Sequence, residues 1–157
     1  MESWPSLPYM YSLPRHNLKA ENYSNFFKSL GSRFIAGGDY NVKHRIWGSR
    51  LSNTKGRALL NSLTDLKLSF ASPETPTCWP TDPKKIPDLI DFWVTKGIPN
   101  HRIRASACLE LSSDHSPVVV VISKTLSASA LNCHLCCRRT NWTHFETKEN
   151  ALSQLFR

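Results

Sequence analysis

Two segments with helical periodicity come early in the chain and short strand-like segments cluster after them, an order that constrains the fold more than any other feature. Residues 17–30 and 53–66 carry apolar side chains at the spacing of one helix face. The later strand candidates are short apolar runs separated by Pro, Asp and Gly: residues 68–72, 77–79, 89–95, 103–109 and 117–122. Because helices and strands do not alternate regularly, we expect an α/β protein whose sheet is mixed rather than purely parallel.

The ends of the predicted elements are marked by capping and turn residues. Asn17 is a candidate N-cap of the first helix, and Gly31 stands where a helix commonly ends in the left-handed conformation. The second helix should extend from Asn53 to Leu66, because four of its leucines recur on one side. Upstream of both helices, residues 10–14 are expected to end a strand.

An apolar strand between the two helices runs into glycines and then into polar residues. Residues 33–36 lead into Gly37 and Gly38, and Asp39 and Asn41 follow directly. Proteins of the α/β class place their chemistry where strand ends open into loops. This loop is therefore a candidate functional site.

Composition limits the class of protein and the class of partner. The 157 residues, 40% of them hydrophobic, suffice for one ordinary domain. No apolar run is long enough to cross a membrane and the first residues lack the pattern of a signal peptide, so we expect an intracellular protein without a membrane partner. The net charge of +8 suits a polyanion such as a nucleic acid, although a merely basic soluble protein would show the same charge.

Three short segments each place an acid beside an apolar strand. Between them they contain the following polar side chains: Asp39, Asn41, Asp91, Asp114 and His115. Cleavage of a phosphodiester needs a group that accepts the proton of water, and groups that stabilise charge on phosphorus and on the leaving oxygen. A carboxylate, an amide and a histidine oriented by an acid supply these functions.

Each acid also has a simpler explanation. Asp39 after two glycines can be a turn residue, Asp91 can be a charge that protects a strand edge, and Asp114 can cap a turn. Turn chemistry is the commoner use of any one of them. Their joint order along the chain, each beside a strand, favours a shared catalytic site.

The same three segments resemble the motifs of endonuclease/exonuclease/phosphatase proteins. Residues 37–41 are similar to the G-D-x-N motif, residues 90–92 to a later strand with a single Asp, and residues 113–115 to the closing S-D-H motif. The stretch 39–57 is similar specifically to the endonuclease domains of jockey-like non-LTR retrotransposons. The resemblance covers residues 9–123 and implies the carboxy-terminal part of the family's four-layer α/β sandwich.

The resemblance implies roles for the catalytic residues. Asp39 would orient and deprotonate the attacking water, and Asn41 would position water and phosphate. Asp91 would pair with His115, and His115 would stabilise the charged phosphorus centre. Tyr11 matches a family tyrosine that contacts phosphate.

A metal and a substrate are implied in the same way. Asp114 would lie at or beside a Mg²⁺ or Mn²⁺ ion, and DNA is the expected partner, with no small-molecule cofactor. Basic residues near the site are expected to bind the nucleic acid: Arg45, Arg50, Lys55 and Arg57.

Members of the resembled family also carry an Asn and a metal-binding Glu upstream of the tyrosine, and this sequence shows no equivalent of either. We therefore expect residues 1–124 to be a partial domain with weak metal binding and impaired cleavage. Residues 125–157 are interpreted as a linker that leads, in full-length relatives, toward a reverse-transcriptase region. A functional element of this type would act in the nucleus.

Three other functions stay open on the sequence alone. The first is a non-catalytic nucleic-acid binder, which salt-dependent binding without nicking would select. The second is a phosphatase acting on a small or lipid phosphate, although no segment is identified that would build its pocket. The third is a zinc module at residues 133–144, where three cysteines surround His134 but no second ligand pair follows.

Overall fold

The computed structural model describes residues 5–82, 84–108 and 113–123. The helices are α1 (Ala20–Ser29) and α2 (Thr54–Asp65), with 3₁₀ turns at Arg45–Trp47 and Asn100–Arg102. The strands are β1 (Tyr9–Tyr11), β2 (Phe34–Asp39), β3 (Ser69–Ala71), β4 (Asp91–Lys96), β5 (Ile103–Ala107) and β6 (Val118–Ile122). Neither helix is long and apolar enough to cross a membrane. The expected linker and the zinc alternative lie outside the described residues.

Helix α1 begins later than its sequence predicts. Its N-cap is Lys19 rather than Asn17, and the backbone N–H of Lys19 donates to Oδ1 of Asn22 at 2.9 Å. A polar side chain at the third helical position that bonds back to the cap residue is half of a capping box, and this bond sets the start of the helix. At the other end, Gly31 has the left-handed φ of +88° that the sequence leads one to expect after the last turn.

Helix α2 confirms its prediction. Asn53 is the N-cap, with its Oδ1 accepting from the backbone N–H of Gly56 at 2.7 Å, and Leu66 is the C-cap. Glycine is required at position 56 because a Cβ there would overlap the carbonyl oxygen of Lys43. The first turn of α2 is therefore packed directly against the loop that follows β2.

Four strands form the main sheet in the order β1-β2-β4-β3. Strand β1 is parallel to β2, whereas β4 is antiparallel to both β2 and β3. The mixed α/β sheet predicted from the order of the elements is therefore confirmed. Strands β5 and β6 form a separate antiparallel pair.

The main sheet is covered on both faces, because alternate side chains of a strand point to opposite sides. Phe34, Ala36 and Val94 belong to the large core that the sheet shares with α1 and α2. Ile35 packs on the other face with Ile103 of β5. Full burial of one such aliphatic or aromatic side chain contributes about 1.5–3 kcal/mol. The described part of the chain therefore has three layers: helices, main sheet and the β5–β6 pair.

Residues 77–79 do not form the strand that their sequence predicts. Cys78 makes isolated bridges to Asp88 on one side and to His115 on the other. Pro76 and Pro80 bracket the segment, and a proline cannot donate a ladder hydrogen bond, so the pairing stops after a few residues. The short bridges nevertheless hold the loop around His115 against the residues that precede β4.

Candidate active site

Two aspartates face each other across the ends of two strands. Asp39 is the last residue of β2, Asp91 is the first residue of β4, and the antiparallel register places them directly opposite. Side chains in such positions have Cβ atoms about 4.5–5.5 Å apart. Two negative charges at this separation repel each other, so the pair favours a nearby cation or a shared proton.

Asn41 fixes the carboxylate of Asp39 from the loop after β2. Its backbone N–H donates to Oδ1 of Asp39 at 2.8 Å, and its side-chain Nδ2 donates to Oδ2 at 2.6 Å. Asn41 adopts a φ of +48°, a left-handed conformation that asparagine tolerates better than most residues. This local turn brings Asn41 back over the end of the strand, where its two N–H donors bond both carboxylate oxygens of Asp39.

His115 lies beside the second aspartate. Its Nδ1 is 3.0 Å from Oδ2 of Asp91. An imidazole whose Nδ1 contacts a carboxylate keeps one ring orientation, and its Nε2 is then the atom presented to a substrate. The pair therefore places an imidazole of fixed orientation beside the carboxyl group of Asp91.

Thr77 connects the two segments that carry this pair. Its Oγ1 accepts from the backbone N–H groups of Ile90 at 3.1 Å and Asp91 at 3.0 Å. Its carbonyl oxygen accepts from the backbone N–H of Ser116 at 2.7 Å. Thr77 is fully buried, so it positions Asp91 and His115 relative to each other without contacting solvent. Nothing in the sequence singled it out.

Burial raises the pKa of both aspartates above the ordinary value. For Asp39, desolvation is the largest cause and the charge of Asp91 adds to it, while the bonds from Asn41 and the proximity of His115 act in the opposite direction. For Asp91, desolvation again outweighs the lowering effects of Thr77 and His115 on the pKa. Both carboxyls therefore hold a proton more tightly than a solvated aspartate does.

An open cavity of about 510 Å³ borders the aspartates. Tyr11 of β1, which is 59% exposed, lines it together with Asp39, Asp91 and His115. Trp93 forms part of the wall, and a Cβ at Gly37 would overlap its ring. The structure therefore brings four of the five predicted catalytic residues around one cavity, and the fifth, Asn41, holds Asp39 from outside it.

Asp39, Asp91 and His115 have the spacing of a metal-binding group, because one ligand atom from each lies within 4.8 Å of the others. Two carboxylate oxygens and one imidazole nitrogen suit Mn²⁺, and the oxygens suit Mg²⁺. Asp114, predicted at or beside the ion, is exposed and stands outside this group. Its Oδ1 accepts from the hydroxyl of Ser113 at 3.4 Å.

These motifs have counterparts in a known family. A sequence model of that family, described as “Endonuclease-reverse transcriptase”, matches residues 9–119, a range that contains every candidate catalytic residue. The chain belongs to this family.

Proteins of mobile elements are similar in sequence to this chain. The chain is 33% identical over 143 residues to a probable RNA-directed DNA polymerase from transposon X-element of Drosophila melanogaster, a match that covers 88% of the chain and 15% of that protein. It is 30% identical over 146 residues to the RNA-directed DNA polymerase from mobile element jockey of the same species, covering 93% and 16%. The jockey-like resemblance is confirmed, and the chain spans less than one fifth of the length of these relatives.

Comparison with a solved structure confirms the fold of this chain. The endonuclease domain of TRAS1, a telomere-specific non-LTR retrotransposon, is 27% identical and superposes with a TM-score of 0.58. The match covers 73% of the chain and 54% of that domain. The mixed α/β architecture of this family member is therefore that of a non-LTR retrotransposon endonuclease domain.

The basic residues expected to bind DNA have two kinds of surroundings. Three are exposed on the surface: Arg45, Arg50 and Arg57. Lys55 differs, because it is only 9% exposed and its Nζ donates to Oγ of Ser12 at 3.2 Å and to the carbonyl of Leu13 at 3.1 Å. Burial lowers the pKa of Lys55, while the charge of Asp39 acts to raise it. Lys55 therefore holds the segment after β1 from inside the molecule.

Lys43 and Asp88 form an ion pair beside the site that sequence reasoning did not identify. Nζ of Lys43 lies 2.7 Å from Oδ2 of Asp88, and Oδ1 of Asp88 accepts from the backbone N–H groups of Arg50 and Leu89, both at 3.0 Å. Burial raises the pKa of Asp88, but these partners outweigh burial and the net shift is downward. The only signal in the sequence was the position of both residues next to the motif segments.

Proposed function

We propose that this domain is a metal-dependent DNA endonuclease that hydrolyses a phosphodiester bond for a non-LTR retrotransposon. One observation carries the proposal: Asp39, Asp91 and His115 converge at one sheet edge with metal-ligand spacing, next to an open cavity. The similar proteins include an RNA-directed DNA polymerase of a mobile element and the endonuclease domain of a retrotransposon, which agrees with this chemistry. In full-length relatives the nick would prime reverse transcription, and the element would act in the nucleus.

In the proposed reaction, Asp39 accepts the proton of the attacking water. Its raised pKa makes it a stronger base than a solvated aspartate. Asn41 bonds both carboxylate oxygens of Asp39, so Asp39 keeps one orientation as the water approaches. The family resemblance assigns the amide of Asn41 the further role of positioning water and phosphate. Tyr11, on the same cavity, would donate a hydrogen bond to a phosphate oxygen.

His115 would stabilise the negative charge that develops on the phosphorus centre. Asp91 fixes the orientation of the imidazole through Nδ1. A fixed donor aimed at the place where charge accumulates in the transition state is more effective than a mobile one, because it needs no reorganisation during the reaction.

The carboxylates of Asp39 and Asp91 would hold Mg²⁺ or Mn²⁺, with Asp114 as the candidate for a further ligand. When bound, the ion would neutralise phosphate charge and the charge that builds on the leaving oxygen. We expect weak binding and slow cleavage, because the described residues bring only three candidate ligand groups together here and Mg²⁺ tolerates poor geometry badly. Protons compete for the same oxygens, so metal affinity should rise with pH.

DNA is the proposed substrate because exposed basic side chains follow the first catalytic segment along the chain. Arg45, Arg50 and Arg57 are exposed in the chain segments that follow Asp39. The net charge of +8 would favour association with a polyanion through release of its counterions.

A nicking assay on supercoiled plasmid tests the proposal. With Mg²⁺ or Mn²⁺ the chain should slowly convert the plasmid to the open-circular form, and EDTA should stop the conversion. Asp39→Asn should abolish it, because the variant loses the base and a metal ligand. Asp65→Asn changes an exposed acid at the end of α2 and should leave the rate unchanged. Nicking that persists in Asp39→Asn would contradict the proposed site.

The competing function is a DNA-binding domain without turnover. Salt-dependent binding to the plasmid with no nicking in either metal would select it. Fast nicking at low Mg²⁺ concentration would support the endonuclease and contradict the weak metal site.

A further inference from the structure

A second cavity, of about 630 Å³, lies between strands β3 and β5. We call it the edge groove; it is lined by residues 70–72, 74–75, 100 and 103–107. Strand β3 is the last strand of the main sheet, and β5 pairs only with β6 among the described residues. The edge groove therefore runs beside two sheet edges, and it shares no lining residue with the cavity at the aspartates.

Strand β5 directs backbone hydrogen-bonding groups into the edge groove. Its ladder with β6 starts where the N–H of Ser123 donates to the carbonyl of Arg102 at 2.9 Å. Because bonded positions alternate along an antiparallel ladder, Ala105 and Ala107 point their N–H and C=O groups away from β6. Within the described part of the chain, no hydrogen bond satisfies these groups. Unpaired groups at a strand edge are a template for a further strand.

The two faces of β5 differ in chemistry, because alternate side chains of a strand point to opposite sides. Ile103 faces the main sheet, where it packs with Ile35. Arg104 is exposed, and its partner across the ladder is Val121, which offers no charge. Neither Arg104 nor the exposed Arg102 forms an ion pair with any acid that the structure describes. The strand edge thus combines an apolar inner face with unpaired cations on its outer side.

We propose that the edge groove binds an extended segment of a partner protein in which apolar residues alternate with acidic ones. The segment adds to β5 as a third strand and bonds the backbone groups of Ala105 and Ala107. Its apolar side chains face the groove wall at Phe70 and Ala71, and its acidic side chains lie beside Arg104. In strand addition, main-chain hydrogen bonds supply affinity and alternate side chains supply specificity. This binding site goes beyond the proposed endonuclease function and does not depend on it.

The chemistry of the edge groove favours such a segment over other occupants. A second copy of β5 would bring another Arg102 and Arg104 to the same edge, and like charges on paired strands are destabilising. Glu74 supplies one acid on the groove wall against these cations. The phosphates of DNA would pair with the arginines, but they only accept hydrogen bonds, so the carbonyl groups of Ala105 and Ala107 would stay unpaired.

Peptides of opposite charge test the acidic partner. The full chain is titrated with a short fluorescent peptide in which glutamate and valine alternate, and with one in which lysine replaces glutamate. Arg104→Glu should weaken binding of the glutamate peptide about tenfold and strengthen binding of the lysine peptide, because a cross-strand attraction becomes a repulsion. Arg15→Glu makes the same change at an exposed arginine outside any strand and should alter neither affinity.

Methylated peptides test strand addition without any change in the protein. One glutamate–valine peptide carries N-methyl groups on its valines, and another carries them on its glutamates. Alternate N–H groups of a strand point to opposite sides, so one set faces β5 and the other faces solvent. One of the two methylated peptides should therefore lose binding while the other keeps it.

The outcomes separate this partner site from the proposed function. Equal binding by the two methylated peptides would overturn strand addition, and equal binding of the glutamate and lysine peptides by the unchanged chain would overturn the acidic partner. Absence of any binding of the glutamate peptide up to about 1 mM would overturn both. If Arg104→Glu weakened binding of duplex DNA and left both peptides unaffected, the edge groove would be a DNA surface and the partner site would fail. Plasmid nicking enters none of these measurements, so failure of the endonuclease proposal would leave their results unchanged.

Discussion

At the scale of single residues, Asp39 and Asp91 face each other across two strands. We expect this arrangement to serve the proposed catalysis and to lower the stability of the fold. Burial raises the pKa of both carboxyls, and the charge of Asp91 adds to the upward pKa shift of Asp39. A group whose pKa is higher in the folded than in the unfolded state binds its proton more tightly when folded. Its contribution to stability is therefore largest in acid and is lost as pH rises through the folded-state pKa.

Removing one charge of this pair should stabilise the fold at neutral pH. The side chain in Asp39→Asn keeps an oxygen that can accept from Asn41 but cannot ionise. The variant therefore avoids the loss of stability that ionisation of Asp39 causes at higher pH. We expect its Tm to rise by about 4 °C at neutral pH, the shift that about 1 kcal/mol produces in a domain of this size, and the gain to shrink in acid.

Thermal melts in EDTA over a range of pH measure this gain. Asp65→Asn, at an exposed position, should show no such pH-dependent difference. A Tm for Asp39→Asn that is lower than that of the unchanged chain at neutral pH would mean that the carboxylate is stabilised rather than strained.

His115 should affect turnover far more than substrate binding. In the proposed mechanism His115, fixed through Nδ1 by Asp91, stabilises the charge on phosphorus, so His115→Ala should lower kcat for nicking about 100-fold with little change in KM. His101→Ala removes an exposed histidine of a 3₁₀ turn and should leave both constants unchanged. Equal effects of the two substitutions would remove His115 from the mechanism.

The sequence predicts the residues of the site where their contacts are local or where a motif marks them. Asp39 and Asn41 are two positions apart, and the pairing of Asp91 with His115, 24 positions apart, was expected only from the resemblance. The burial of Lys55 and the part played by Asp88 depend on how distant elements pack. Periodicity within one element carries no information about that packing.

At the scale of elements, capping chemistry explains why one helix start was predicted and the other was not. Asn53 has the expected bond to Gly56, whereas Asn22, inside α1, bonds back to Lys19 and leaves Asn17 without a cap role. Residues 77–79 were expected as a strand because of their composition. Their flanking prolines instead limit them to the bridges of Cys78.

The ion pair between Lys43 and Asp88 should contribute measurably to stability. Asp88→Ala leaves the ammonium of Lys43 and the backbone N–H groups of Arg50 and Leu89 without their acceptor, so we expect a loss of about 2 kcal/mol in the free energy of unfolding. Because the pKa of Asp88 is lowered in the folded state, its contribution is present at neutral pH and disappears as pH falls through that pKa.

Urea unfolding at neutral and acid pH checks this dependence. Asp82→Ala, at an exposed position, should cost much less at either pH. If Asp88→Ala lowered the free energy of unfolding equally in acid, the effect would come from lost packing rather than from the ionised carboxylate. The pH trend should be opposite in sign to that of Asp39→Asn, although both variants remove an aspartate near the same site.

At the scale of the whole molecule, the described residues leave the edge of the main sheet at β1 uncovered. This strand pairs only with β2 among the described residues, and apolar side chains alternate along it and its flanks: Leu7, Tyr9, Tyr11 and Leu13, all exposed. Two of them line the cavity beside the aspartates. An edge strand with an exposed apolar stripe is a site for pairing with another chain.

We therefore expect the chain to associate with itself as concentration rises, and a charge on the β1 stripe to oppose this. Leu7→Lys places a cation at the start of the stripe, away from the catalytic residues, and should raise the concentration at which association begins by about tenfold, because edge charges block strand pairing. Ile86→Lys adds the same charge at an exposed isoleucine outside any strand, so it controls for the general effect of net charge. Light scattering over a concentration series measures the onset, and an equal shift for both variants would assign association to the overall charge and not to β1.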